Sequence, residues 1–210
     1  MSLRVEQFVN GKWRQNCFVL SNDAGEALIV DPGSDVEKIV TLLQEHGACP
    51  LAILNTHAHY DHIGAVSGLM LKFDIPFYLN GEDGELLRRA NLYKLIFDSR
   101  EAVTVPDITH DLRELPASLK FGSFEVGWFA TPGHTAGSVC FTVDQALFTG
   151  DTLMPNGPGR TDLPGGNPED LQDSLERLKA LPADLHLYAG HGPAARLGDA
   201  LPYCERLQSA

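Results

Sequence analysis

The chain has 210 residues, 43% of them hydrophobic, which is enough to bury a sizeable core and suits a single domain spanning residues 1–210. With 16 basic and 28 acidic residues its net charge is −12, and such an acidic surface disfavours nucleic acid as a partner. The sequence shows neither a run of 18 apolar residues nor a signal-peptide pattern. We therefore expect no membrane partner and a cytoplasmic location.

The four cysteines, Cys17, Cys49, Cys140 and Cys204, are widely spaced and form no C-x-x-C pair. Three of them, Cys17, Cys49 and Cys140, lie in or beside apolar segments. The pattern predicts buried, reduced thiols, the usual state of cysteine in a cytosolic protein.

The first half of the chain predicts an antiparallel meander followed by helices and strands. Alternating apolar residues indicate strands at 3–9, 15–20 and 27–30, with Asn10-Gly11 as a hairpin turn. Ser34 and Glu37 have capping-box spacing and predict the start of a helix that Gly47 ends. The remaining predicted elements of this half are a strand at 51–54, a helix at 63–72, a strand at 75–79 and a helix at 81–97.

The second half returns to strands after a segment of mixed polarity at 98–118, for which we predict a surface connection without firm structure. Strands are predicted at 125–130, 139–143, 146–148 and 185–188, and helices at 168–180 and 201–207. Two groups of strands, each accompanied by helices, predict an α/β (α+β) fold. The expected architecture is an αββα four-layer sandwich, with two mixed sheets packed together and helices on both outer faces.

A dense cluster of metal-ligand residues follows the predicted strand at 51–54. Three histidines and one aspartate fall within seven residues, at His57, His59, Asp61 and His62. Imidazole nitrogen and carboxylate oxygen suit zinc or iron. On an extended backbone His57, His59 and Asp61 would point to one side and His62 elsewhere, which indicates two adjacent metal positions. The alternative is a solvated histidine-rich loop without a defined metal site.

Three further residues occupy similar places later in the chain. His134, Asp151 and His191 each follow an apolar strand and stand beside a glycine, which permits a tight turn and close backbone approach. Taken singly, each would be read as a structural residue. Their joint occurrence with the histidine-rich segment indicates that strand ends on one edge of the sandwich collect metal ligands.

These motifs, in this order, resemble the metallo-β-lactamase superfamily, and the resemblance spans nearly the whole chain. It is carried by His57-x-His59-x-Asp61-His62, Pro132-Gly133-His134-Thr135, Gly150-Asp151 and Gly190-His191-Gly192. The resemblance implies the αββα fold. It also implies one metal held by His57, His59 and His134, a second held by Asp61, His62 and His191, and Asp151 bridging both.

The resemblance implies two divalent metal ions, with zinc as the first expectation and iron or manganese as alternatives. Two such ions bridged by a carboxylate acidify a water, and the resulting hydroxide attacks a carbonyl carbon. We expect Asp61 to act as a catalytic residue that orients this hydroxide. No protein nucleophile is required, which agrees with the lack of a G-x-S-x-G motif.

Within the superfamily the chain looks like short glyoxalase II-like enzymes (hydroxyacylglutathione hydrolase-like) and the related persulfide dioxygenases. The segment Gly-Arg-Thr-Asp-Leu-Pro-Gly-Gly at 159–166 carries this likeness, although Leu163 stands where that branch usually has Phe. Ala136 and Ser138 also depart from the residues common there. The chain ends 19 residues after His191, so we expect no C-terminal helical domain of the kind that holds glutathione in long glyoxalase II enzymes.

The expected function is metal-dependent hydrolysis of a small-molecule thioester such as S-lactoylglutathione. The alternative is a persulfide dioxygenase with one iron held by His57, His134 and Asp151. A non-catalytic metal-binding protein, a β-lactamase and a nuclease are less favoured. The oligomeric state stays open, with a homodimer as one option.

Tyr60 and Arg160 are the predicted substrate-binding residues. Tyr60 would line the pocket or else pack on the core, and Arg160 would contact substrate or else pair with Asp162 to hold its loop. A basic cluster is also present, and it is either a solvated face or a rim that attracts a carboxylate-bearing substrate. The members of this cluster are Arg88, Arg89 and Lys94.

Overall fold

The strands of the first half form one mixed sheet. In the computed structural model, which describes residues 2–204, six strands pair in chain order. The first three pair antiparallel and the last three join by parallel pairing, so their carboxyl ends lie along one edge. The strands are β1 (Arg4–Asn10), β2 (Gln15–Ser21), β3 (Glu26–Val30), β4 (Cys49–Leu54), β5 (Phe77–Leu79) and β6 (His110–Asp111).

A second mixed sheet contains most of the later strands. These strands are β7 (Ser118–Phe121), β8 (Phe124–Ala130), β9 (Val139–Val143), β10 (Ala146–Gly150), β13 (His186–Ala189) and β14 (Ala195–Arg196). Their order across the sheet is β14-β13-β10-β9-β8-β7, with β10 and β13 parallel and the other pairs antiparallel. A separate two-stranded ribbon is formed by β11 (Leu153–Met154) and β12 (Gly157–Pro158).

Helices cover the outer face of each sheet. Helices from the first half pack on the first sheet, and the later two pack on the second. The helices are α1 (Val36–Glu45), α2 (Tyr60–Ile63), α3 (Val66–Phe73), α4 (Gly84–Arg88), α5 (Ala90–Phe97), α6 (Pro168–Lys179) and α7 (Leu197–Ala200).

Side-chain alternation within the strands generates the layers. In β2, Val19 packs toward the helices while Phe18 packs toward the other sheet, because successive side chains of a strand point to opposite faces. In β10, Leu147 packs toward α6 and Phe148 toward the first sheet. Three apolar clusters therefore separate four layers, and the predicted αββα sandwich is confirmed.

The predicted capping box at the start of α1 is wrong. Asp35 is the N-cap, and its side chain accepts a hydrogen bond from the Lys38 amide at 3.0 Å. Ser34 instead donates its backbone N–H and its hydroxyl to Asn10 Oδ1, at 2.9 and 3.1 Å. Ser34 is therefore engaged in tertiary hydrogen bonds to Asn10 and does not form the capping box with Glu37 that the sequence spacing predicted.

Several predicted boundaries also differ. The helix predicted at 81–97 is divided into a 3₁₀ turn, α4 and α5, and the helix predicted at 63–72 is divided into α2 and α3. Residues 98–118, predicted to be without structure, contain β6, a 3₁₀ turn at Leu112–Glu114 and the start of β7. The helix predicted at 201–207 is a 3₁₀ turn at Leu201–Tyr203, and residues 205–207 lie outside the described part of the chain.

The prediction of buried, reduced cysteines is correct at three positions. Cys17, Cys140 and Cys204 are buried, and within residues 2–204 none of the four cysteines forms a disulfide. Cys49 is exposed because it begins β4 at the surface end of the strand, so its predicted burial is wrong. Burial raises the pKa of the Cys140 thiol to about 12 and also raises that of Cys17, which keeps both protonated and inert.

Replacing Phe148 should strongly destabilise the sandwich. This side chain is fully buried between the sheets, with its ring centroid 5.3 Å from that of Phe18 and 5.2 Å from that of Tyr188. Phe148→Ala should lower the free energy of unfolding by about 3–5 kcal/mol in denaturant titration. Leu71→Ala, at a surface position that is 89% exposed, is the control and should change it by less than about 0.5 kcal/mol. Equal effects of both variants would contradict this assignment of the core.

Candidate metal centre

All seven predicted ligand residues converge at one edge of the sandwich. The loops that carry them follow β4, β8, β10 and β13, whose ends meet there. Six of them form two groups, within each of which the candidate ligand atoms lie within 4.8 Å of one another, and Asp151 lies between the groups. The first group is His57, His59 and His134, and the second is Asp61, His62 and His191.

The first group is composed of buried imidazoles. His134 Nε2 lies 2.9 Å from His59 Nδ1, and the ring of His57 stands beside both, with centroid distances of 4.9 and 4.8 Å. Burial lowers the pKa of His57 and of His59 well below the usual value for histidine. Both rings are therefore neutral, which is the state that offers a nitrogen lone pair to a metal.

The second group includes the carboxylate of Asp61. Its Oδ2 lies 3.9 Å from His62 Nε2 and 3.6 Å from His191 Nε2. Burial opposes protonation of His62, but the neighbouring Asp61, Asp31 and Asp151 outweigh it and raise the pKa of His62 to about 9. Without a metal, His62 therefore carries a proton that a bound cation would displace.

Asp151 lies between the two groups. Its Oδ2 is 3.5 Å from His134 Nε2 and 3.4 Å from His191 Nε2, and its Oδ1 is 3.7 Å from His62 Nε2. Although burial favours the protonated acid, His191 and His62 hold the pKa of Asp151 well below its usual range. A Cβ at Gly190 would lie 2.1 Å from Asp151 Oδ1, so only glycine permits this approach.

Buried atoms without partners test whether these residues fit a metal. Of the five buried side-chain atoms in residues 2–204 that lack a hydrogen-bond partner, three belong to the two groups or to Asp151. These atoms are His57 Nε2, His62 Nε2 and Asp151 Oδ1. A buried polar atom without a partner is costly, and divalent cations bound at the two groups would satisfy all three. The donor set therefore fits a metal centre.

Hydrogen bonds behind the histidines orient their rings. His134 donates Nδ1–H to the carbonyl oxygen of Arg160 at 2.8 Å, and His191 donates Nδ1–H to that of Trp13 at 3.0 Å. Each bond leaves Nε2 directed at the candidate metal positions. Such bonds fix the tautomer of a metal-binding histidine and raise its basicity.

Asp31 is a supporting residue that sequence reasoning missed. It accepts hydrogen bonds from the Thr56 amide at 2.8 Å and from the Thr56 hydroxyl at 2.7 Å, and its Oδ2 lies 3.1 Å from His62 Nδ1. Thr56 Oγ1 in turn lies 3.0 Å from His57 Nδ1, so one carboxylate orients a histidine of each group. Because its oxygens are already engaged, we assign Asp31 to support rather than to metal binding. Its position directly after β3, like that of Asp151 after β10, was the available signal.

Asp83 is a second supporting residue that sequence reasoning missed. Its carboxylate is buried and accepts hydrogen bonds from the Ala58 amide at 2.9 Å, the Thr135 hydroxyl at 2.8 Å and the Gly137 amide at 2.7 Å. Burial raises its pKa against the effect of these donors. Asp83 thereby joins the loop of His59 to that of His134, and nothing in its sequence surroundings indicates this.

The expectation of an extended backbone through residues 57–62 is wrong in part. His59 is extended, with φ −63° and ψ 144°, but a helical turn, α2, begins at Tyr60. Asp61 therefore leaves the side shared by His57 and His59 and joins His62 and His191. The division into two groups matches the ligand set that the family resemblance implied.

A pocket of about 350 Å³ opens over the candidate metal centre. Both predicted substrate-binding residues, Tyr60 and Arg160, line it. The Arg160 guanidinium pairs with Asp162 through two contacts of 2.6 Å, as the loop-stabilising alternative anticipated. The complete lining is Trp13, His59, Tyr60, Asp61, Tyr93, Phe97, His134, Asp151, Met154, Gly159, Arg160, Leu163, Pro164 and His191.

The basic cluster does not line this pocket. Arg88 and Arg89 each contact Glu85 at 2.6 Å, and Lys94 contacts Asp98 at 2.7 Å. For Arg88 and Arg89 these pairs favour a solvated, locally neutralised face. Lys94 is instead largely buried, and its ammonium lies 5.7 Å from the centre of the Tyr60 ring at the rim of the pocket, where Asp98 neutralises it.

Comparison with known proteins identifies relatives across most of the chain. The family described as the metallo-beta-lactamase superfamily matches residues 10–191. A probable metallo-hydrolase of Bacillus subtilis is 42% identical over 179 residues, covering 84% of this chain and 83% of the relative. A hydroxyacylglutathione hydrolase of Haemophilus influenzae is 31% identical over 195 residues, and the match covers 89% of this chain and 89% of the relative.

Solved structures agree with the fold. The crystal structure of a B3 metallo-beta-lactamase superposes with a TM-score of 0.88 at 36% identity, over 98% of this chain and 100% of the other. A protein crystallised in a di-iron-bound form superposes with a TM-score of 0.85 at 34% identity, over 97% of this chain and 100% of the other.

Among residues 2–204, no helix has the length and apolar character needed to cross a bilayer.

Removing the charge of Asp31 should weaken metal binding. Asp31→Asn loses the anion that orients His62 directly and His57 through Thr56, so metal affinity should fall by about 10–100-fold in competition with a chromogenic chelator. Asp107→Asn, which removes an exposed carboxylate elsewhere, is the control and should leave affinity unchanged. Unaltered affinity in Asp31→Asn would show that the ring positions do not depend on this carboxylate.

Proposed function

Because the chain belongs to the metallo-beta-lactamase superfamily, we propose that it is a metal-dependent hydrolase that cleaves a small-molecule thioester. One observation carries the proposal. Buried nitrogen and carboxylate atoms without hydrogen-bond partners converge beneath a single pocket. The choice of a thioester is supported by hydroxyacylglutathione hydrolases among the relatives, one of them similar in length to this chain.

We assign the two groups of ligands to two cations. Residues His57, His59 and His134 would hold one cation, residues Asp61, His62 and His191 would hold the other, and Asp151 faces both. When bound, divalent cations lower the pKa of water and withdraw charge from a carbonyl oxygen. The rings of His62, His134 and His191 are oriented by hydrogen bonds at Nδ1, which leaves Nε2 available to a metal.

Asp61 is the carboxylate best placed to orient the attacking water. Both Asp61 and Asp151 line the pocket, but Asp61 contacts histidines of the second group only, whereas Asp151 lies between histidines of both groups. A carboxylate in this position accepts a hydrogen bond from water and directs a lone pair at the substrate carbon. The water gives up a proton by way of Asp61 to solvent as a C–O bond forms at that carbon. The C–S bond of the thioester then breaks, and its electron pair leaves on sulfur as the thiolate.

The pocket suits a leaving group that departs without a proton from the protein. Every histidine and aspartate of the pocket lining belongs to the metal groups, and burial raises the pKa of Tyr60 to about 12. The pocket therefore offers no side chain tuned as a general acid near neutral pH. A thiolate, whose conjugate acid has a pKa of about 8.5, leaves unaided far more readily than an amine does.

Tyr60 is proposed to contact the substrate. Its hydroxyl accepts a hydrogen bond from the Trp13 indole at 2.6 Å, which leaves its own O–H free to donate to a substrate oxygen.

We propose zinc as the metal, with iron as the main alternative because a structural relative was crystallised with two irons. Manganese as a further alternative and a cytoplasmic location remain predictions, and the oligomeric state stays open.

β-Lactam hydrolysis is a second candidate. It is favoured by the structural similarity to a B3 metallo-beta-lactamase at 36% identity. Parallel assays of the zinc-loaded and iron-loaded protein on S-lactoylglutathione, other thioesters and a chromogenic cephalosporin separate the two activities. Oxygen uptake on glutathione persulfide without thioester turnover would favour the persulfide dioxygenase instead and overturn our proposal.

Metal removal should abolish thioester hydrolysis and metal addition should restore it. Dialysis against a chelator should reduce turnover to background, and zinc, iron(II) and manganese(II) should then be added back separately while elemental analysis records the metal bound. Two ions per chain at full activity is the expected result, since two ligand groups are present. Full activity in the metal-free protein would refute the proposal.

Asp61→Asn should reduce turnover of any thioester substrate by about 10²-fold or more, because it removes the carboxylate that orients water. The measurement is kcat at saturating metal, with metal content determined on the same sample so that loss of binding is separated from loss of catalysis. Asp173→Asn, at an exposed position on α6, is the matched control. A fully loaded Asp61→Asn variant with unchanged kcat would refute the role given to Asp61.

A further inference from the structure

We propose that the thioester taken by this pocket is apolar and uncharged in the part that lies against Trp13, Tyr93 and Phe97. This inference rests on the proposed function and names its substrate class. It disfavours glutathione thioesters, which carry two carboxylates and an ammonium on their glutathione part.

An apolar wall surrounds the mouth of the pocket. Trp13 comes from the turn between β1 and β2, Tyr93 and Phe97 come from α5, and Leu163 with Pro164 face them from the loop after β12. These three segments are distant in sequence, yet all present apolar surface to the same space. Trp13 is 45% exposed and Phe97 is 41% exposed, so large apolar surfaces remain open to a ligand.

Trp13 is held in place although its ring is exposed. Its indole N–H donates to the Tyr60 hydroxyl at 2.6 Å, and its carbonyl oxygen accepts a hydrogen bond from His191. The Lys12 ammonium lies 5.2 Å from the centre of the indole ring. An aromatic side chain that is already ordered loses little conformational entropy when a ligand packs on it, which suits a binding surface.

The cations around the pocket are engaged with protein carboxylates. Among residues 2–204, Arg160 is the one Lys or Arg side chain in the lining, and Asp162 neutralises it through a two-point contact. At the rim, Lys94 and Lys12 both contact Asp98, at 2.7 and 3.6 Å. A substrate carboxylate would therefore displace an existing ion pair or lose its water against an aromatic wall, and both cost free energy.

The two ends of the pocket thus differ in the chemistry they accept. The buried end holds Asp61, Asp151 and the histidines, where a scissile carbonyl would be bound and hydrolysed. The open end offers aromatic and aliphatic side chains to the remainder of the substrate. A short thioester with an aryl or alkyl group satisfies both ends.

The first test compares substrates on the metal-loaded enzyme. The phenylacetyl thioester of N-acetylcysteamine, which is uncharged, should be hydrolysed with a kcat/KM about tenfold or more above that for S-lactoylglutathione. A higher kcat/KM for S-lactoylglutathione would overturn the inference.

The second test uses variants on one helix. Phe97→Ala should raise KM for the phenylacetyl substrate by about tenfold with a smaller effect on kcat, since the apolar contact is lost. Leu95→Ala, on the same helix but outside the pocket lining, is the matched control and should leave KM unchanged. Equal effects of the two variants would overturn the assignment of the wall.

The third test measures binding apart from hydrolysis. Phenethyl thioethers of N-acetylcysteamine and of glutathione, which cannot be hydrolysed, share the apolar group and differ in the thiol part, which is small and uncharged in the first and larger and charged in the second. A methyl thioether of N-acetylcysteamine lacks the apolar group. Calorimetry on the metal-loaded protein should show the tightest binding for the uncharged phenethyl compound. If that order holds while no thioester is hydrolysed, the proposed function fails and the pocket assignment stands. If thioesters are hydrolysed but the glutathione compound binds tightest, the pocket assignment fails alone.

Discussion

The Asp31 carboxylate lies without solvent contact between β3 and the histidine-rich loop, and the geometry of the metal centre depends on it. A buried carboxylate is costly unless donors surround it, and here Thr56 and His62 supply them. Because Thr56 also contacts His57, the same anion orients a histidine of each group. The relative placement of the two ligand groups is thereby tied to one interaction behind the site.

Strand pairing determines which loops can meet. Parallel pairing of β3 with β4, and of β10 with β13, places the carboxyl ends of both pairs at the same edge of their sheets. The loops that follow can then approach closely only where a side chain is missing. Gly190 is such a place, since a Cβ there would collide with Asp151. Strand pairing and the close approach at Gly190 together bring Asp151 near His62.

Polar and apolar requirements are separated within the pocket. The buried end concentrates nitrogen and oxygen atoms that need a cation, and the open end consists of aromatic and aliphatic side chains. Trp13 links the two ends, because its indole is bonded to Tyr60 and its carbonyl oxygen to His191. The apolar wall and the candidate metal centre are therefore connected by direct hydrogen bonds through Trp13.

The ligand residues and the sandwich could be predicted from sequence because both depend on local features, namely donor chemistry, apolar periodicity and the ends of strands. The supporting contacts could not, because they join distant parts of the chain. Asp31 and Thr56 are 25 positions apart, and Trp13 and His191 are 178 apart.

Predictions from local sequence patterns were also wrong where a residue remote in sequence offered a competing hydrogen bond or where the backbone changed conformation. Ser34 bonds to Asn10 instead of capping its helix, and the helical turn from Tyr60 moves Asp61 to the second group. Sequence by itself thus determined which atoms could bind a metal. Tertiary structure decided how those atoms are oriented and what surrounds the substrate, because hydrogen bonds and packing between remote segments outweigh local preference.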